Sequence, residues 1–306
     1  MKKITLLSLL MALCLTTLAA CSAGGPEQTP PQSEPPASSA PTEPSSEPEQ
    51  PSDAVESVPV SETVAPSEPQ SSQGQGSTYT FGQPVPENST DVEEEWFEDA
   101  VFLGDSRTEG LQLYSGLHAG DFFWHKGMTV FRVDDEDYRQ IEVDGQSMTM
   151  MEALARKQYA KVYIMIGINE LGYPASSYEK GLKAMVDQVK EIQPNAVIYL
   201  QTLPPVNEGK AAESGLGSSI NNTNVNAFNE IIVATAAEKQ VALLDVARVF
   251  RSAQGDLPAD MASDGVHFKR DGYQLWYAYL KCHVLTAEAY ANAQPAPAED
   301  AAQAAG

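Results

Sequence analysis

Lys161-Val162-Tyr163-Ile164-Met165-Ile166-Gly167 is the stretch on which the fold turns. Its apolar residues run without a break to a glycine and leave no polar face for solvent. Such a run suits a strand buried on both sides, as in the centre of a parallel sheet. Moving outward, Ala100-Val101-Phe102-Leu103-Gly104 is a short strand of the same character, as are residues 196–201 and 241–245. Residues 122–124 and 129–133 are strand-like. Helical spacing falls between these runs, at 107–117, 149–157, 177–192 (stopping before Pro194), 222–238 and 271–290. Apolar strands alternating with helices predict an α/β domain, a three-layer α/β/α sandwich with a central parallel sheet. In such sheets the site is expected at the carboxyl ends of the strands.

Composition sets the borders of that domain within the 306 residues. Residues 22–80 hold 12 of the 21 prolines and offer no periodic apolar face, which predicts a disordered Pro/Ser/Glu-rich tether. Fully extended, such a tether reaches on the order of 180 Å at about 3.1 Å per residue. The folded domain is expected over 81–290, with a disordered Ala/Pro/Gln-rich tail over 291–306. The net charge is −23, from 42 acidic against 19 basic side chains, and 16 of the acidic ones lie between residues 22 and 100, where there is no Lys or Arg. This balance argues against nucleic acid and anionic membrane surfaces as partners.

Lys2 and Lys3 followed by an apolar stretch of secretory length make residues 1–21 a signal peptide, too short to be read as a membrane span. It ends in Leu18-Ala19-Ala20-Cys21, which resembles the lipobox of bacterial lipoproteins, in which the cysteine is acylated. The expectation is a chain lipid-anchored at Cys21 to the outer face of a bacterial membrane, with the domain in the cell wall or extracellular space. Cys14 falls in the leader, so Cys282 is left without a disulfide partner, and the domain must be stable through its core.

Three strand ends carry residues suited to chemistry. At Gly104-Asp105-Ser106 a strand turns straight into a helix, which leaves the Ser106 hydroxyl among free backbone N–H groups. At Gly167-Ile168-Asn169-Glu170 an asparagine side chain is placed to donate to a developing oxyanion. At Asp264-Gly265-Val266-His267 the three-residue spacing lets a carboxylate meet its own imidazole and fix the tautomer. Gly-Asp-Ser and strand-end Asn are also ordinary turn chemistry. Of the four histidines, His118, His125 and His283 lack an acidic partner at this spacing. No H-E-x-x-H, C-x-x-C, P-loop or dinucleotide fingerprint is present, so neither metal nor cofactor is expected.

The order of Gly-Asp-Ser after the first strand, G-x-N after an apolar strand and D-x-x-H before the last helix resembles the SGNH/GDSL hydrolase superfamily, over about residues 98–290. The resemblance implies a flavodoxin-like fold and a serine esterase. Ser106 is then the nucleophile, His267 the base and Asp264 its orienting partner. Asn169 and the N–H groups of Ser106 and a glycine form the oxyanion hole. Gly127 is chosen for that glycine, ahead of Gly120 and Gly116. Two departures stand out: Glu170 where the family has Asp, and Arg107 in the first turn after the nucleophile. Arg107 is expected to pair with Glu170 or Glu109. No long apolar lid is evident, which favours short acyl chains over lipids; with the expected location, the resemblance implies O-acetyl groups on wall glycans or dietary polysaccharides. Tyr173, Tyr178 and the 202–220 loop are either rim contacts for sugars or plain loop residues. Transfer of the acyl group to a sugar hydroxyl, or a silent glycan-binding module on the same fold, stays open.

Overall fold

The computed structural model describes residues 78–296. The leader with Cys21, nearly all of the tether and the last ten residues lie outside the described residues. The chain order is β1 (Ala100–Gly104), α1 (Ser106–Tyr114), β2 (Asp121–Trp124), β3 (Ile141–Val143), β4 (Gln146–Met148), α2 (Met150–Ala155), β5 (Lys161–Met165), α3 (Ala175–Ile192), β6 (Val197–Gln201), α4 (Glu208–Glu213), α5 (Asn222–Lys239), β7 (Ala242–Leu244), α6 (Ala247–Phe250), α7 (Arg270–Cys282) and α8 (Ala287–Ala291). Five strands form one parallel sheet in the order β2-β1-β5-β6-β7, with helices packed on it. This is the α/β sandwich expected from the apolar runs.

Every residue of β1, β5 and β6 is buried, as strands covered on both faces require. Register adds a specific device. Phe122, Phe102, Tyr163 and Tyr199 sit directly opposite one another across four strands. Their rings stack in sequence at centroid separations of 4.6, 4.8 and 4.6 Å. Each such pair adds about 0.5–1.5 kcal/mol beyond area burial, so the ladder also penalises a slip of register.

The chain leaves β1 for β2 on one side and then crosses back to β5 on the other. The crevice above the carboxyl ends of β1 and β5 is therefore the topological switch point, where ligands bind in open α/β sheets.

The structure corrects four details. Residues 129–133 form no strand: the Val130 N–H is taken by the Glu170 side chain, and Arg132 N–H by the Thr129 carbonyl in a turn. A hairpin of β3 and β4 stands where none was expected. Its turn is Asp144-Gly145, both with positive φ, a dipeptide suited to a two-residue hairpin. The final helix does not run to 290. It ends at Cys282 so that Val284 and Leu285 drop into the core, where Leu285 N–H donates to the Tyr199 hydroxyl at 2.8 Å. Thr286 then caps α8. Order also extends past both expected borders. Buried Tyr79 accepts from Gln294 at its carbonyl, and Phe81 N–H donates to the Gln294 carbonyl, so residues 291–294 belong to the domain.

Candidate active site

Asp105 ends β1 with extended backbone and accepts the Arg107 N–H at 2.8 Å, which starts α1 at Ser106. The first helical residue has no intrahelical acceptor for its N–H, so the Ser106 amide is left to face the crevice. Ser106 Oγ lies 2.7 Å from His267 Nε2. His267 Nδ1 lies 2.7 Å from Asp264 Oδ2. The structure thus brings the three residues into one hydrogen-bonded chain, although 161 positions separate Ser106 from His267.

The Asp264–His267 loop is fixed from within and without. Asp264 Oδ1 accepts both the Val266 and His267 N–H groups, at 3.0 and 2.8 Å, while Oδ2 holds the imidazole. Outside the loop, Asn207 N–H donates to the Gly265 carbonyl and Lys210 Nζ to the Ala262 carbonyl. Partial burial tends to raise the Asp264 pKa. The hydrogen bonds from the His267 amide, the His267 ring and the Val266 amide outweigh it and hold the carboxyl below its ordinary value. An ionised Asp264 is the form that orients an imidazole and stabilises its cation.

Arg107 is the main correction at the site. It makes no ion pair with Glu170 or Glu109; Glu109 pairs with Lys126 at 3.2 Å instead. The Arg107 guanidinium is fully buried, donates from Nε to the Val266 carbonyl at 3.1 Å and from Nη1 to the Pro204 carbonyl at 3.3 Å, and lies over the Phe268 ring at 5.6 Å. It therefore ties the nucleophile helix to the His267 loop. Burial pushes its pKa down, with the Asp105 carboxylate opposing.

Asn169 sits on the short 3-10 turn after β5. Its Nδ2 donates to the Met128 carbonyl at 2.9 Å, which aims the amide and leaves its second N–H for a ligand. Gly127, next to Met128, has φ of +75° and open space where a Cβ would project. Behind both lies Glu170, fully buried, whose Oε1 accepts the Val130 N–H at 2.7 Å. Burial, helped by the negative charge of Asp105 and opposed by the Val130 N–H, pushes Glu170 up to about 8. Asp105 is raised by burial as well, against the pull of the Arg107 amide and guanidinium.

Ser106, His267, Asn169 and Gly127 share one pocket of about 550 Å³ with Glu109, Leu113, Tyr114, Lys126 and Tyr273. Tyr178 does not reach it: the ring is buried against Phe228 at 4.2 Å and its hydroxyl donates to the Ile166 carbonyl. His125 is taken up by the Tyr138 hydroxyl. His283 stacks on Tyr279, and the neighbouring Cys282 thiol is pushed up by burial, away from nucleophile character. Among the described residues no group of three or more His, Cys, Asp or Glu is arranged to hold a metal ion. Sequence reading missed the roles of Pro204 and Val266 as carbonyl acceptors for Arg107; no residue-type signal marks them.

A nucleophile, an oriented base and an asparagine amide around one crevice are an arrangement for acyl transfer. The model of the GDSL-like lipase/acylhydrolase family matches residues 102–275, more than half of the chain. The chain belongs to this family. It is accordingly a serine ester hydrolase. Solved structures similar to this GDSL-like protein include a GDSL-like lipase from Bacteroides thetaiotaomicron, 16% identical, TM-score 0.46, covering 61% of this chain and 87% of that one. Another is an acetylxylan esterase from Geobacillus stearothermophilus, 20% identical, TM-score 0.43, covering 62% and 95%. No curated protein matches the sequence.

Proposed function

We propose that the protein hydrolyses short-chain, chiefly O-acetyl, esters of carbohydrate through Ser106, His267 and Asp264. The observation that carries this reading is the unbroken Ser106–His267–Asp264 chain, 2.7 Å at each link, opening on a pocket that Asn169 and Gly127 also line. His267 takes the Ser106 proton as Oγ attacks the ester carbonyl. The Asn169 amide and the N–H groups of Ser106 and Gly127 hold the oxyanion. His267 then gives the proton to the leaving alcohol, and water repeats the cycle on the acyl-enzyme.

A sugar alcohol fits the polar side of the pocket, where the Glu109–Lys126 pair and Ser263 offer hydrogen bonds. The leader and lipobox support a location on the outer face of a bacterial membrane, anchored through Cys21. Nucleic acid is not a partner in this reading, and the membrane enters through the lipid alone.

The test is hydrolysis of 4-nitrophenyl acetate by the protein, beside Ser106→Ala and His267→Ala. Turnover that both substitutions reduce by about 10⁶ supports the mechanism. Turnover left intact by either one overturns it. Labelling of the wild-type protein with radioactive palmitate, lost in Cys21→Ser, tests the anchor.

A further inference from the structure

Among the described residues, two of the large apolar side chains left exposed are at this site and two more are on the segments next to it. Leu113 and Tyr114 line the pocket itself. Phe131 and Tyr173, on the segments that follow Gly127 and Asn169, are 40% and 53% exposed. Their rings meet at a centroid distance of 5.2 Å and a tilt of 51°. Two touching, half-exposed rings present flat apolar faces to solvent beside a polar pocket.

The pair is also held rigidly, and held by the machinery of the site. Phe131 comes three residues after Met128, the acceptor of the Asn169 amide, so the two are at most about 10 Å apart along the backbone. Tyr173 N–H donates to the Glu170 carbonyl at 2.7 Å, and the Glu170 carboxyl accepts Val130 N–H beside Phe131. One buried residue therefore sets the position of both aromatic segments and of the neighbouring Asn169. The Phe131 ring further rests on α3 at Gly181, where any Cβ would press on Val130 and on the ring.

Resting on the esterase reading above, we propose that Phe131 and Tyr173 form a stacking platform for a neighbouring sugar unit of an O-acetylated, pyranose-based polysaccharide chain. The acetylated unit itself sits in the pocket between Tyr114 and the oxyanion donors. Aromatic faces take the apolar C–H face of a pyranose, while the Glu109–Lys126 pair meets hydroxyl groups. A lipid surface is the poorer occupant. The Glu109–Lys126 ion pair and Ser263 give the neighbouring pocket a polar wall that suits sugar hydroxyls and not acyl chains.

The experiment compares the full chain with Phe131→Ala/Tyr173→Ala and with Tyr173→Trp, on three substrates: O-acetylated xylan, O-acetylated peptidoglycan glycan strands and 4-nitrophenyl acetate. The two polymers separate an external from a wall source of the same chemistry. The expected result is a fall of about tenfold in the ratio of kcat/KM on one polymer to kcat/KM on the small ester in the double variant, carried by KM. Tyr173→Trp should keep the wild-type ratio. A ratio unchanged in the double variant, or a wild type that cleaves the small ester and neither polymer, overturns the platform while leaving the esterase standing. Binding of deacetylated and acetylated polymer to Ser106→Ala, by affinity electrophoresis, reads the platform without turnover. Retardation that the aromatic substitutions abolish is expected. Retardation indifferent to them, or tight adsorption to neutral phospholipid vesicles in its place, refutes the assignment. A wild type inert on all three esters would instead bring down the catalytic reading itself.

Discussion

Glu170→Gln isolates the buried acid next to Asn169. In the wild type its carboxyl is raised from 4.5 to about 8 by burial, with Asp105 adding to the effect. At about 1.36 kcal/mol per pKa unit, ionising it in the folded protein costs on the order of 5 kcal/mol relative to the unfolded chain. An acid whose folded value is raised contributes stability that is present in full below its unfolded value. That contribution is lost as pH climbs to the folded one, so the window runs from about 4.5 to about 8. A glutamine keeps the acceptor for Val130 N–H and carries no proton to lose. Its amide also supplies a donor in place of Glu170 Oε2, which is buried and has no partner in the protein, as is Asp105 Oδ2. Melting temperatures of the two proteins at pH 5, 6.5 and 8 measure the difference. At roughly 2–4 °C per kcal/mol for a domain of this size, the variant should gain on the wild type by about 10 °C between the lowest and highest pH. Parallel curves would show that Glu170 ionises freely in the fold and would refute the reasoning.

Other outcomes follow from the same geometry. Asn169→Ala should lower kcat on 4-nitrophenyl acetate by about 10²–10³ with little change in KM, and with melting nearly unchanged because the side chain is exposed; steady-state kinetics and a thermal scan check both halves. Arg107→Met should destabilise the domain by about 3–5 kcal/mol in denaturant titration, since Asp105 loses its buried counter-charge and the Val266 and Pro204 carbonyls lose their donor; an unchanged midpoint would show that the guanidinium ties nothing.

How much of this was legible in the sequence depended on the range over which each feature is determined. The buried strands β1, β5 and β6 announced themselves because a strand covered on both faces has to be apolar at every position. The Asp264–His267 pairing was readable for a similar reason: a carboxylate three residues ahead of a histidine closes its own turn through the Val266 and His267 amides before any tertiary contact is made. The Asp144-Gly145 hairpin carries an equally local signal in its turn dipeptide, but strands of three residues are too short to show an alternating pattern. The true misses are all decided by what the rest of the fold leaves unpaired. Residues 129–133 have strand composition, but the sheet ends at β2 and Glu170 claims the Val130 amide. The helical spacing of 271–290 continues through Leu285, yet the Tyr199 hydroxyl offers that backbone both a donor and an acceptor, and the helix yields.

Arg107 shows where local reasoning stops. A cation in the first turn of a helix works against the macrodipole, and charge complementarity alone pointed to Glu170 or Glu109. Glu109 is the partner of a surface lysine, and burial favours the neutral form of Glu170, so neither supplies the counter-charge. The fold instead presents two carbonyls, Val266 and Pro204, that no backbone amide reaches, and a guanidinium with its fixed fork of donors satisfies both while lying over Phe268. Because one of those carbonyls belongs to the residue before His267, the cation that looked misplaced on α1 holds the nucleophile helix and the base loop at their 2.7 Å separation. Ser106 and His267 are far apart in the chain and carry no spacing of their own, so a buried tie between their two segments supplies the distance that the chemistry needs.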